Sequence, residues 1–409
     1  MYKYNFLLYL FSPYLIIRTI SSTIIRKGGY KYFFQRLGYL LPKINNSPIW
    51  LHAASIGETK IAIRLYDTLK IKYPETTFLI TTTTPAAKYL IPEDRNLLHS
   101  HLPIDWFFSA RKFIKKIKPR ISITVETEIW PNFVFLCKSN SIPAIIVNGR
   151  LSDKTLNTNS ILKNIYKLTI KNYEMIICKS DYDKKKFIAL GADEKQLSIE
   201  GNLKFTLYDS KKNNHNIINK KYILAVSTHA DEERQIITEW LRTNEKKTLL
   251  VIVPRHPERL GDILSDLPLD LLNIAIRSKN EKIKNNTQIY IADTLGEVDS
   301  LLEFCEFVFV GGSLVDHGGQ NFMEAASYGK SIIVGPYMYN FISETEEFLK
   351  KNAMIMVKNS NTLKHVFERL LKSKQRRELF GNNAKKIIES KQDIIHNYCR
   401  SIQRLITEL

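Results

Sequence analysis

The sequence predicts an α/β protein built from two Rossmann-like domains in succession, and three observations carry that reading. The chain has 409 residues, room for two domains of about 200 residues, each with its own core. Short apolar, β-rich runs alternate with segments of helix length, the pattern of parallel strands covered on both faces. Polar or glycine-rich clusters follow most of these runs, and in open α/β sheets ligands bind at the carboxyl ends of strands.

Residues 309–335 show the unit most clearly. An apolar run at 307–310 breaks at Gly311-Gly312, and a polar loop with a second pair, Gly318-Gly319, follows. Good helix formers occupy 322–328, and 331–334 read as the next buried strand. Glycines allow close approach of a ligand and a helix start offers unpaired N–H groups, so the loop suits an anion such as phosphate. Asn321 and Glu324 fall in the first helical turn, where they either cap the helix or face what sits in the crevice.

The N-terminus differs from the rest. Residues 6–17 are apolar and aromatic, and Arg18, Arg26, Lys27, Lys31 and Arg36 follow. The run is shorter than the roughly 20 residues a membrane span needs, contains Pro13, and lacks a small-x-small cleavage site. Residues 1–30 are therefore expected to insert shallowly or anchor at a bilayer, their basic residues facing the anionic cytoplasmic leaflet. The alternative is a hydrophobic helix packed on its own domain.

Residues 31–208 form the first predicted domain. Its strand candidates are the run from Ile49, then 77–82, 120–125, 144–147 and 175–178. Glu58 follows Gly57 at a helix start, where a carboxylate also simply complements the dipole. Glu126-Thr-Glu128-Ile-Trp-Pro-Asn132 follows one strand, Asn148-Gly-Arg150-Leu-Ser152 the next, and Gly201-Asn-Leu-Lys204-Phe205 closes the domain. The polar stretch 209–218 reads as a linker. The second domain, 219–409, repeats the alternation at 222–226, 248–253 and 288–291, then 307–310 and 331–334, before terminal helices whose Lys/Arg-rich part from Lys372 presents a solvated face.

Sixty Lys and Arg against 41 Asp and Glu leave a formal charge of +19, which favours a nucleic acid, an acidic membrane or a phosphorylated substrate. A chain so rich in Lys, Ile and Asn also drifts to high charge by composition, so charge selects no function. Cys137, Cys178, Cys305 and Cys399 are scattered, as reduced core residues are, without a disulfide framework or a zinc site. The glycines of 311–319 do not fit G-x-G-x-x-G and no P-loop is present, which argues against dinucleotide binding and P-loop chemistry. Nucleic-acid signatures are missing as well, so no nucleic-acid partner is expected.

Six motifs together resemble the 3-deoxy-D-manno-octulosonic acid (Kdo) transferases of lipopolysaccharide biosynthesis, glycosyltransferase family 30. They are Trp50-Leu-His-Ala-Ala-Ser-Ile-Gly-Glu58, Glu126 to Asn132, Asn148-Gly-Arg150, Gly201 to Phe205, Pro254-Arg-His-Pro-Glu-Arg259, and Gly311 to Ala326, in family order. The resemblance implies a GT-B fold with parallel sheets facing a central cleft. It also implies CMP-Kdo as donor, a lipid A precursor (lipid IVA) as acceptor, and work at the cytoplasmic face of the inner membrane, with its anionic lipid surface as a partner.

By the same resemblance Glu58 matches the general base, and Glu128 and Lys204 match positions of transition-state stabilisation. CMP contacts fall on Pro254, Arg255, Leu295, Gly296, Glu297, Asn321, Phe322, Met323 and Glu324. Phe322-Met323 stands where many relatives carry Pro-Leu, and Asp316-His317 is variable territory.

The chemistry of these residue types agrees. A sugar hydroxyl needs a carboxylate to take its proton, the transition state has oxocarbenium character, and a single displacement inverts the anomeric centre. Lys204, Arg255 and the helix start at Asn321 offer positive potential to the leaving phosphate, and Arg150 is one candidate for the donor's carboxylate. These groups can neutralise one phosphate, so no metal or other cofactor is expected. Another GT-B enzyme, a UDP-sugar transferase or epimerase, is the alternative. A basic lipid-surface or nucleic-acid binding protein would instead bind in a salt-sensitive way without turnover.

Overall fold

The computed structural model describes every residue except 209–215, 244, 246, 268–271 and 408–409. It divides into two compact units, Met1–Leu207 with Asp393–Leu409, and Tyr208–Gln392. The predicted linker at 209–218 lies largely outside the described residues.

In the first unit seven strands form one parallel sheet: β1 (Ile49–Ala53), β2 (Phe78–Thr82), β3 (Leu97–His101), β4 (Ile121–Val125), β5 (Ala144–Gly149), β6 (Met175–Cys178) and β7 (Leu197–Ile199), in the order β3-β2-β1-β4-β5-β6-β7. Strand side chains alternate between faces, and both faces are buried. Ile49, Leu51 and Ala53 pack on the helix Ile56–Lys72 through Ile61, Leu65 and Leu69. Trp50 points the other way, into Phe113 and Phe133. β3 and β7 are absent from the sequence reading, because Leu-Leu-His-Ser-His and Leu-Ser-Ile carry too little apolar signal.

The second unit repeats the plan with β8 (Tyr222–Thr228), β9 (Leu249–Pro254), β10 (Ile274–Ile276), β11 (Ile289–Ile291), β12 (Val308–Val310), β13 (Ile332–Val334) and β14 (Met354–Met356), ordered β10-β11-β9-β8-β12-β13-β14. Every pairing within the two sheets is parallel. In each sheet the strand order reverses beside the first strand, between β1 and β4 and between β8 and β12. Chains leaving adjacent strands in opposite directions open a crevice there, the usual place for a ligand in such sheets.

Two expectations need correction. The terminal helix Ile394–Thr407, read from sequence as part of the second domain, belongs to the first unit. Its stripe of Ile395, Tyr398, Cys399, Ile402 and Ile406 joins the core around Leu51 and Leu65, and Tyr398 donates its hydroxyl to the Gly201 carbonyl at 2.8 Å. The segment from Lys372 is also more than a solvated face, since Ala384, Ile387 and Ile388 of the helix Lys374–Ser390 are buried. All four cysteines are buried and free.

At the N-terminus, α1 (Tyr2–Leu10) and α2 (Ser12–Ile24) are separated by a 57° bend. Among the described residues no single helix is long and apolar enough to cross a membrane, although this bent pair passes by length and composition together. α1 docks through polar groups. Tyr4 donates to Asp105 Oδ2 at 2.7 Å, and Asn132 Nδ2 donates to Asn5 Oδ1 at 2.7 Å. Phe6, Leu10, Phe11, Tyr14, Ile17, Ile24 and Ile25 remain exposed.

Candidate functional site

At the switch point of the first sheet, the turn after β1 begins a helix at Ile56, and Ser55 caps it, accepting from the Glu58 N–H at 3.3 Å. Glu58 reaches back, accepting from the Ala54 N–H through Oε2 and from the Ser55 hydroxyl through Oε1, both at 2.8 Å. The arrangement is close to a capping box, with the Ala54 N–H in place of that of the cap residue Ser55, so the local role foreseen for a carboxylate at a helix start is real. It uses only two of the carboxylate's roughly four acceptor positions. Burial, and then the charges of Glu126 and Glu128, push the Glu58 carboxyl up to about 7. A carboxyl poised there is half-ionised near neutrality and suited to taking a proton.

The turn after β4 brings in a residue the sequence reading left without a role. Glu126 adopts a left-handed backbone conformation (φ +63°), uncommon for a side chain with a Cβ, and is buried. Lys204 Nζ lies 2.8 Å from its Oε1 and Arg150 Nε 3.6 Å from its Oε2. Burial works to raise the Glu126 carboxyl, but Lys204 and Arg150 outweigh it and hold it below the usual range. Asn148, also left-handed (φ +54°), accepts from the Leu203 N–H at 2.9 Å and so ties the turn after β5 to the segment carrying Lys204. The turns after β4 and β5 and the Gly201 loop thereby meet around one carboxylate.

Glu128, matched in sequence to transition-state stabilisation, lies beside His52. Its Oε2 is 3.8 Å from His52 Nε2, while Lys204 is on Glu126. His52 Nδ1 faces the Thr81 carbonyl at 3.1 Å, which can only accept, and His52 Nε2 receives the Trp130 indole N–H at 3.3 Å. That pattern is a neutral imidazole with its proton on Nδ1. Glu128 is half-buried beside it.

In the second unit the glycine loop after β12 differs from the anion cradle expected of it. The N–H groups of Gly312, Ser313 and Leu314 converge on the buried carboxylate of Glu232, at 2.6, 2.9 and 2.9 Å, and the His229 N–H joins them at 3.1 Å. The chain fills its own nest. Gly311 is needed for another reason: a Cβ there would stand 2.4 Å from the Ser227 carbonyl oxygen.

Of the residues matched to CMP, Phe322 and Met323 are fully buried, with Phe322 packed on Phe341 and Phe348. Their side chains serve the core. Asn321, two residues ahead of the short helix Met323–Ser327, accepts from the Met323 N–H at 3.0 Å and donates to the Tyr208 hydroxyl at 2.6 Å. Pro254 ends β9 and is buried, whereas Arg255 is exposed and its N–H donates to the Thr228 carbonyl at 2.9 Å. Leu295 is 84% exposed, an apolar side chain open to a ligand, and Gly296 beside it has φ +88°. Arg277 grips Glu297 through Nε at 3.1 Å and Nη2 at 2.6 Å, and this contact first of all depresses the Glu297 carboxyl.

Comparison with known proteins follows the same lines. The sequence model of the family described as 3-deoxy-D-manno-octulosonic-acid transferase (kdotransferase) matches residues 31–207. The 3-deoxy-D-manno-octulosonic acid transferase of Rickettsia bellii is 30% identical over 416 residues, covering 98% of each chain. That of Haemophilus influenzae is 30% identical over 347 residues, 82% of this chain and 81% of its own. Among solved structures, a putative UDP-N-acetylglucosamine 2-epimerase from Listeria monocytogenes has a TM-score of 0.62 at 15% identity, covering 88% of this chain and 97% of that one. A glycosyltransferase from Rickettsia africae has a TM-score of 0.59 at 16% identity, covering 89% and 99%. These two likenesses concern the fold, two GT-B-like α/β units. The end-to-end match with the Rickettsia bellii enzyme settles the rest: this chain belongs to the Kdo transferase family of glycosyltransferases.

Proposed function

We propose that the enzyme transfers Kdo from CMP-Kdo to lipid IVA, a lipid A precursor, by an inverting displacement in which Glu58 accepts the proton of the attacking hydroxyl. The observation that carries this reading is the Glu58 carboxyl, pushed up to about 7 beside Glu126 and Glu128 at the switch point of the first sheet. As the hydroxyl oxygen bonds to the anomeric carbon, its proton passes to Glu58 while the bond to the phosphate breaks and the oxocarbenium character collapses. Lys204 and Arg150, already oriented by Glu126, are the cations of the first unit placed to face developing negative charge. Mass analysis of the lipid formed from CMP-Kdo and a tetra-acylated lipid A precursor tests the proposal. A Kdo increment is expected; a sugar increment from a UDP-sugar and none from CMP-Kdo overturns it.

The nucleotide is assigned to the second unit, to Arg255, the Leu295-Gly296-Glu297 turn, and Asn321 with Glu324. Arg255→Ala and Glu324→Ala should each weaken inhibition by CMP by about 1.5–3 kcal/mol, the worth of a hydrogen bond to a charged group. Inhibition constants for CMP, measured on both variants, check this. An unchanged constant in both removes the nucleotide from these residues.

Membrane attachment is assigned to α1 and α2. Their support is the set of large apolar side chains, Phe6, Leu10, Phe11, Tyr14, Ile17, Ile24 and Ile25, that stay exposed while Tyr4 and Asn5 bond to the unit. The acyl chains of the acceptor stay in the bilayer, so a surface-held enzyme gains effective concentration. Apolar insertion combined with the exposed Arg18, Arg26, Lys27 and Lys31 supplies two attachment signals, each basic residue worth about 1 kcal/mol near anionic lipid; Arg36, grouped with them in the sequence, instead donates to the Leu102 carbonyl inside the unit. Removal of residues 1–20 should cut activity on acceptor in anionic vesicles far more than on detergent-dispersed acceptor, with CMP binding intact. Equal sedimentation with vesicles and an equal rate on them would sink the assignment.

A further inference from the structure

Three loops of the second unit bring a histidine each to the switch point of its sheet. His229 follows β8, His256 follows β9 and His317 lies in the loop after β12. The rings of His229 and His317 stack at 4.2 Å with 21° between their planes, and His256 meets His229 edge-on at 5.9 Å. His317 is exposed on the outer side of the stack. The N–H groups of residues 312–314 are occupied by Glu232, so an anion reaching this crevice cannot use those three.

The two stacked rings are not equivalent. Gln320 Nε2 lies 2.9 Å from His229 Nε2 and can only donate, so His229 accepts there and carries its proton on Nδ1. Burial, then the neighbouring charges of His317, His256, Arg255 and Arg259, push His229 down to about 4. It therefore remains neutral near pH 7 and offers an N–H and a flat polar face. A second cation stacked on it would be repelled, but one imidazolium on one neutral imidazole is a stable pair. His317 is the ring open to solvent and to an incoming anion.

We propose that the His229–His317 stack, with Arg255, receives the phosphate of the nucleotide, and that His317 takes up one proton from solvent as the phosphate binds. This rests on the assignment of CMP to the second unit. The surroundings leave His317 that role. Around the stack, Arg259 is committed to Glu233 at 3.2 Å, Asp231 to Arg234, and His256 faces Glu258 at 3.4 Å. Glu232 is buried under four backbone N–H groups. Asp316 is the adjacent acid on the loop of His317 itself, and Tyr339 and Asn340, the other neighbours of that loop, bond to the backbone carbonyls of Asp316 and His317. Arg255 has an exposed side chain on this side.

The sign follows from linkage. A bound dianion favours the charged form of an imidazole beside it, so nucleotide affinity is high at low pH and falls as the pH rises. The test is calorimetric titration of the full-length, detergent-solubilised enzyme with CMP at about pH 7.5, where a phosphate of second pKa near 6 is already almost fully dianionic. Performed in Hepes and in Tris, which differ in heat of ionisation, it reads the protons taken up. Wild type should take up a large fraction of one proton, and its affinity should rise roughly three- to tenfold per pH unit on lowering the pH from about 8.5. His317→Phe keeps an aromatic ring in the stack and should abolish both effects, as should His317→Gln. His256→Gln should leave them. Binding of CMP by wild type without proton uptake, or uptake that persists in both His317 variants, overturns the proposal while leaving the nucleotide assignment standing. If CMP does not bind wild type, the assignment itself fails.

Discussion

Glu58→Gln is expected to lower the rate of Kdo transfer by about 10²–10⁴-fold, the usual worth of a general base, while CMP affinity stays within about twofold. Glutamine keeps the size of the side chain and can still accept from the Ala54 N–H, so the hydrogen bonds at the helix start are only partly lost. The pH profile gives the sharper reading. The Glu58 carboxyl is raised to about 7, so the reactive carboxylate is the form above that pH. In wild type kcat/KM should climb about tenfold per pH unit below 7 and level off above it; in the variant this limb should vanish. A near-normal rate for Glu58→Gln, or an unaltered acid limb, would return Glu58 to a purely capping role.

Lys204→Ala should damage the enzyme in two separable ways. The substitution removes the 2.8 Å partner of a buried carboxylate and leaves it Arg150 at 3.6 Å and the Asn148 side-chain amide at 3.5 Å. Breaking a buried pair from one side costs about 3–5 kcal/mol, and the remaining arginine places the expected loss near the lower end. Urea unfolding followed by tryptophan fluorescence measures it. Glu126 is held below its ordinary pKa, so its contribution to stability is present above the unfolded-state pKa and disappears as the pH falls through the depressed value. Lys204→Ala weakens that depression and should move acid unfolding to higher pH.

The double variant Lys204→Ala with Glu126→Gln then separates structure from catalysis. Neutralising Glu126 removes the uncompensated charge, so much of the lost stability should return. Activity should stay down by about 10²-fold or more, because the cation facing the developing negative charge is still missing. Recovery of activity along with stability would make Lys204 a structural partner of Glu126 alone.

Several features of this molecule were legible in the one-dimensional pattern. The runs at 77–82, 120–125, 144–147, 175–178, 222–226 and 248–253 became β2, β4, β5, β6, β8 and β9 with ends shifted by no more than two residues. Buried parallel strands announce themselves locally, by a continuous apolar run closed by a polar turn. Ser55-Ile-Gly-Glu58 likewise contains its own cap, three residues from acceptor to donor. β10 and β14 are absent from that strand pattern although β11, β12 and β13, read from apolar runs at 288–291, 307–310 and 331–334, are equally short at three residues each.

What the tertiary structure decided are choices among chemically equal partners far apart in sequence. Glu126 and Glu128 flank one threonine, and nothing in the order of residues says which meets Lys204; the left-handed turn at Glu126 does. The glycine loop looks the same on paper whether its N–H groups await a phosphate or are filled, as they are, by Glu232 some 80 residues earlier. The stripe from Ile395 to Ile406 shows that the last helix is amphipathic, but an apolar stripe has no address, and shape complementarity with the helix Ile56–Lys72 puts it on the first unit. Periodicity is enforced by the backbone within a few residues, and so it is written locally. Charge pairing and close packing depend on distances that exist only once both sheets have formed.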